Sequence, residues 1–85
     1  MPWNFQLSRP AQKALRSAPK VDRERISKAL EAMAENPLGG DTKMLRGSGG
    51  TLRRRVGRWR ILFSLEEDII HVKHVLRRTT TTYKK

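Results

Sequence analysis

The stretch Leu52-Arg53-Arg54-Arg55-Val56-Gly57-Arg58-Trp59-Arg60-Ile61-Leu62-Phe63 constrains the fold more than any other part of the chain. Apolar and basic residues alternate with period two on either side of Gly57-Arg58, the pattern of two half-buried strands. Gly57 stands first in the two-residue link, as a type II′ hairpin turn requires. Such a turn sets the register. Val56 faces Trp59, Arg55 faces Arg60, Arg54 faces Ile61, Arg53 faces Leu62 and Leu52 faces Phe63. One face then carries Leu52, Val56, Trp59, Ile61 and Phe63, with Arg54 as its odd member. The other carries Arg53, Arg55 and Arg60. Like charges directly opposed across a sheet destabilise it, so this face predicts an anionic occupant.

The rest of the chain supplies layers for the hairpin to pack against. Trp3 to Leu7 alternates apolar and polar residues and reads as a short strand. Ser8 is an N-cap and Pro10 suits a first helical turn, so a short helix carrying Ala11, Ala14 and Leu15 runs to about Ser17, where Pro19 breaks it. Val21, Ile26, Ala29, Leu30, Met33 and Ala34 follow a 3.6-residue period and predict a second amphipathic helix ending before Asn36-Pro37. The two helices are expected as an antiparallel pair on one side of a sheet. Leu38 to Asp41 and Gly47 to Gly50 read as loops around Lys43-Met44-Leu45-Arg46, and the glycine run lacks the spacing of a phosphate-binding loop. Glu67-Asp68 is a second turn pair, and Ile69 to Leu76 a third arm. Simple alternation puts Ile70, Val72 and Leu76 in the core, and His71, Lys73 and Arg77 on the arginine face. The expected fold is α+β: two N-terminal helices packed on a three- to four-stranded antiparallel sheet, a single domain over residues 1–85.

Charge and composition narrow the function. Nineteen Lys and Arg against eight Asp and Glu give +11, with no acidic cluster to balance it, which calls for a polyanionic partner. A solvated basic surface explains scattered lysines better than arginines crowded on one strand face. No cysteine is present, which rules out disulfides, thiolate metal sites and a cysteine nucleophile. The start, Met1-Pro2-Trp3-Asn4, has no signal-peptide pattern, and no apolar run is long enough to span a bilayer. The expectation is a cytoplasmic protein without a membrane partner.

The site candidates follow from charge chemistry. Arginine grips phosphate bidentately and stays charged. Several arginines on one sheet face, with Tyr83 near enough to stack on a base, predict an RNA-binding surface. Basic sheet faces also bind acidic protein segments. His71 and His74 lack the further ligands a zinc site needs. His74 reads as a half-buried residue at the core edge, and His71 as a candidate for proton transfer. Trp3 and Trp59 read as core anchors.

These pieces together resemble the RelE/ParE toxin superfamily of toxin–antitoxin systems. The resemblance is carried by Ala11-Gln12-Lys13-Ala14-Leu15, Arg25-Ile26 with Ala29-Leu30, Asn36-Pro37, Leu45-Arg46-Gly47, Arg55 to Phe63, and Val75-Leu76-Arg77-Arg78 followed by Tyr83. RelE-like members cleave mRNA in the ribosomal A site, and ParE-like members poison DNA gyrase. The resemblance implies a ribosome-dependent mRNA endonuclease acting by 2′-hydroxyl attack, without metal or small-molecule cofactor, held silent by a cognate antitoxin. The alternatives are a ParE-like gyrase inhibitor and a non-catalytic basic module that binds RNA or an antitoxin. Carried over by position, the catalytic residues are Arg53, Arg55, Arg60, Arg77 or Arg78, and Tyr83. Arg46, Lys43, Lys73 and His71 are the remaining candidate RNA contacts. One departure matters: the best-known RelE type has lysines where this chain has Arg53 and Arg55. A lysine can be tuned to accept a proton and an arginine cannot, so base catalysis would move to Tyr83 or His71.

Overall fold

Each helix is bounded by the residues that the sequence marks out. The computed structural model describes residues 3–47 and 49–77. Strand β1 covers Asn4–Leu7, helix α1 Arg9–Ser17 and helix α2 Lys20–Glu35. The Ser8 side chain accepts a hydrogen bond from the Ala11 amide at 3.2 Å, satisfying one orphan donor of the first turn of α1. Arg16 in its last turn complements the helix dipole. α2 buries Ile26, Ala29 and Met33, spaced three and four residues apart, and ends where the Asn36 amide donates to the Ala32 carbonyl. Val21 is the exception to the predicted stripe. It sits in the first turn of α2 and is 66% exposed.

Strands β2 (Thr42–Met44), β3 (Leu52–Val56), β4 (Trp59–Glu66) and β5 (Ile69–Arg77) complete a five-stranded sheet in the order β1-β5-β4-β3-β2. The β3–β4 hairpin has the register its turn predicts, from Val56 opposite Trp59 to Leu52 opposite Phe63. Gly57 has φ of 60°, the left-handed value the first turn position needs. The sheet differs from the expectation in two ways. It has five strands, because the three residues of β2 pair antiparallel with Leu52, Arg53 and Arg54; three residues are too few to show a period. It is also mixed, because β1 lies parallel to β5, with Phe5 beside Ile70 and Leu7 beside Val72.

A β-bulge sets the faces of β5. Phe63 pairs with Val72, but Leu62 pairs with His74, so Lys73 is the extra residue. The alternation slips by one beyond it. Val75 enters the core at 3% exposure, and Leu76 turns outward at 47%. Arg77 lies opposite Trp59, on the helix side of the sheet. The expectation for Leu76 and Arg77 is therefore reversed, because simple alternation does not count an unpaired residue.

The core lies between the helices and one sheet face. Ile26 and Met33 of α2 meet Ile61, Phe63, Ile70 and Val72, all essentially without solvent contact. Arg54, the odd member of that face, is accounted for. Its Nη1 donates to the Gly39 carbonyl at 2.9 Å, tying the loop after α2 to β3. Gly40 rests on this guanidinium with φ of 67°, and a Cβ there would come within 2.7 Å of it. Gly40→Ala is expected to cost about 1–2 kcal/mol, since it adds left-handed strain and displaces Arg54. An unchanged urea midpoint would refute this.

Candidate functional site

The sheet face turned away from the helices carries the cations. β3 alternates, so Leu52 and Arg54 point to the helices while Arg53 and Arg55 point away. Arg55 lies opposite Arg60, and Arg53 lies between Lys43 of β2 and Leu62 of β4. Four cationic side chains thus stand on three adjacent strands. They differ in setting. Arg53 is buried at 7% exposure, and the Arg55 side chain is 45% exposed. The Arg60 Nε is buried and has no hydrogen-bond partner among the described residues.

Asp41 supplies part of the anion that the sequence predicts for this face. Its carboxylate approaches Arg53 Nη2 at 3.7 Å and Arg55 Nε at 3.6 Å. The loop folds back because the Arg55 amide donates to the Asp41 carbonyl at 2.9 Å. One half-exposed carboxylate between two guanidinium groups is screened and leaves the face strongly positive. The role of Asp41 is not legible locally, since only the loop closure brings it to β3.

The other candidates divide by position. His71 lies on the same open face, opposite Ser64, with Nε2 3.4 Å from Glu66 Oε1. Lys73, the bulge residue, is exposed nearby and lines the same cleft as His71. Arg46 is exposed in the turn after β2, off the sheet. Arg77 is on the helix side, away from Arg53, Arg55 and Arg60. Arg78 and Tyr83 fall outside the described residues. His74 corrects its expectation: it is exposed, pairs with Leu62 on the open face, and stands diagonal to Arg60. Its signal in the sequence was Val72-Lys73-His74-Val75, two polar residues between two valines, which marks a bulge rather than a core edge. Preorganised guanidinium groups can hold phosphate and stabilise charge that develops on it, but they cannot accept a proton.

A mixed sheet with two helices on one face and arginines on the other is the architecture to compare with known proteins. A family model described as the ParE toxin of type II toxin–antitoxin systems, parDE, matches residues 5–81. The chain belongs to this family, within the RelE/ParE superfamily, and is a toxin of the type II class. Among solved structures it is similar to the archaeal RelE–RelB complex of Pyrococcus horikoshii OT3, at 23% identity and TM-score 0.80, covering 94% of this chain and 99% of that one. The RelB–RelE complex of Methanococcus jannaschii gives 27% identity and TM-score 0.71, covering 84% and 87%. The isolated E. coli RelE toxin gives 19% identity and TM-score 0.80, covering 94% and 88%. No curated protein matches the sequence significantly.

Proposed function

We propose that this toxin is a metal-independent endoribonuclease that cleaves mRNA on the ribosome. The observation that carries the reading is the open face itself. Arg55 and Arg60 are directly opposed, with Arg53 beside them and a buried Arg60 Nε that lacks a partner among the described residues. Such an arrangement is unfavourable for folding and favourable for a phosphate. The 2′-hydroxyl of the mRNA attacks the adjacent phosphorus, and the 5′-oxygen leaves. The products are a 2′,3′-cyclic phosphate and a 5′-hydroxyl. Arg60 stabilises the charge developing on the phosphoryl oxygens. Arg53 and Arg55 position the backbone. Arg78 takes the second arginine role in place of Arg77, which lies across from Trp59 on the far side of the sheet. Tyr83 stacks on a base or passes a proton.

Primer extension on mRNA from cells expressing the chain tests this reading. Cuts in phase with codons are expected. The second reading is a gyrase inhibitor, favoured by the ParE description of the matching family. Gyrase-linked DNA breaks with intact mRNA would establish it instead.

An antitoxin with an acidic segment covers the arginine face in the resting cell. Several of the similar structures are toxin–antitoxin complexes, and the net charge of +11 needs a counterpart. Binding is expected to weaken steadily with ionic strength, because partly exposed charge pairs are screened. An affinity indifferent to salt in a titration series would point to apolar docking and remove this assignment.

A further inference from the structure

The open face holds a second feature that the arginine chemistry does not use. Strands β1, β5 and β4 enclose a cleft of about 510 Å³, lined in part by Gln6, Ser64, Glu66, His71 and Lys73. This lies within the size of small-ligand pockets, roughly 300–1,000 Å³. The register explains its lining. Gln6 lies beside His71, and His71 lies opposite Ser64, so an amide, an imidazole and a hydroxyl form one row across three strands. Glu66, two residues along β4 from Ser64, flanks the row on one side, 3.4 Å from His71. Lys73, two residues along β5 from His71, flanks it on the other side, toward Arg60.

The chemistry of this row is mixed, unlike that of the arginines. Gln6 and Ser64 can each donate and accept hydrogen bonds, Glu66 accepts, and Lys73 carries the positive charge. A nucleobase edge presents donors and acceptors side by side, and its phosphate asks for a cation. Ser8 also lines the cleft, but its hydroxyl is engaged with the Lys73 carbonyl and the Ala11 amide. Ser64 is four residues from Arg60 along β4, about 13 Å at the usual strand rise. That is too far to share one phosphate with Arg60 and suits a neighbouring nucleotide on the same strand.

We propose that this cleft is a subsite for one unpaired nucleotide flanking the cleavage position. Lys73 meets its phosphate, and Gln6, Ser64 and Glu66 read its base edge. The assignment rests on the nuclease reading of the arginine face.

The test uses the full chain and two measurements. One is the affinity for a short, labelled single-stranded RNA blocked at its 2′-hydroxyls. The other is the steady-state rate of mRNA cleavage on ribosomes. Gln6 and Lys73 are exposed, so alanine there leaves folding intact. Gln6→Ala and Lys73→Ala are each expected to weaken RNA binding about 3- to 10-fold and to raise KM to match with kcat kept, the signature of lost uniform binding. Lys73→Ala should also lower the salt slope of binding by about 0.7, and Lys73→Arg should restore it. Gln6→Ala should relax base preference at one position beside the cut. Variants equal to the parent in affinity, KM and base preference would overturn the subsite alone. A parent that neither binds nor cuts RNA would overturn the nuclease reading, and the subsite with it. Variants that keep RNA binding but lose the antitoxin would assign the cleft to the partner protein and overturn the proposal.

Discussion

Arg60→Ala is expected to reduce mRNA cleavage about 100- to 1,000-fold, the usual loss when one preorganised donor to a developing negative charge is removed. The melting temperature should stay the same or rise slightly. The physical reason lies in the register. Arg60 is directly opposite Arg55, and its Nε is buried without a partner among the described residues, so the hairpin gains little from this nitrogen. Removing it relieves repulsion across the hairpin. Arg60→Lys should recover only part of the activity, because a point charge replaces a planar fork. Arg55→Ala should behave in the same way, since its side chain is 45% exposed. Arg53 provides the contrast. It is buried at 7% exposure with Asp41 at 3.7 Å, so alanine there leaves a void in the sheet surface and should lower stability as well as activity. Single-turnover cleavage beside thermal melts separates the cases. Full activity in Arg60→Ala, or loss of its fold, would end the assignment of this face to chemistry.

Phe63→Ala is expected to destabilise the fold by about 3–5 kcal/mol, the range for truncating a fully buried aromatic side chain. Phe63 has no solvent exposure and sits on β4, which is paired on both sides, opposite Leu52 on β3 and Val72 on β5. It belongs to the cluster that includes Met33 and Ile26 of α2. Domains of this size hold on the order of 4–13 kcal/mol in total, so this one change removes a large share. The melting temperature should fall by more than about 15 °C. Cleavage should disappear at body temperature and persist in part when cold, because the arginines are untouched. A loss below about 1 kcal/mol in chemical denaturation would mean that the sheet closes over the space, and would contradict a tightly packed core.

The arginine face was legible in the sequence because it is a local pattern. Gly57 at the turn determines the pairing of every residue from Leu52 to Phe63, and period-two alternation then sorts Arg53, Arg55 and Arg60 from Trp59, Ile61 and Phe63. The helix limits were equally local. Ser8 caps α1 through a bond three residues away, and Asn36-Pro37 halts α2. Each of these features depends on groups within a few residues of one another, so backbone sterics and side-chain reach decide them before the chain collapses.

Tertiary structure decided what depends on distant groups meeting. β1 joins β5 in parallel, and the Ser8 hydroxyl bonds the Lys73 carbonyl across 65 residues of sequence. No local period encodes such a pairing; the energy comes from burying Phe5 and Leu7 against the core. The bulge at Lys73 sends Leu76 and His74 outward and Arg77 to the helices. Alternation cannot foresee it, because it arises from how β5 fits β4. Asp41 reaches Arg53 and Arg55 only once β2 lies on β3. The chain therefore specified its cationic chemistry locally, whereas the acid beside it and the cleft next to it come from long-range packing.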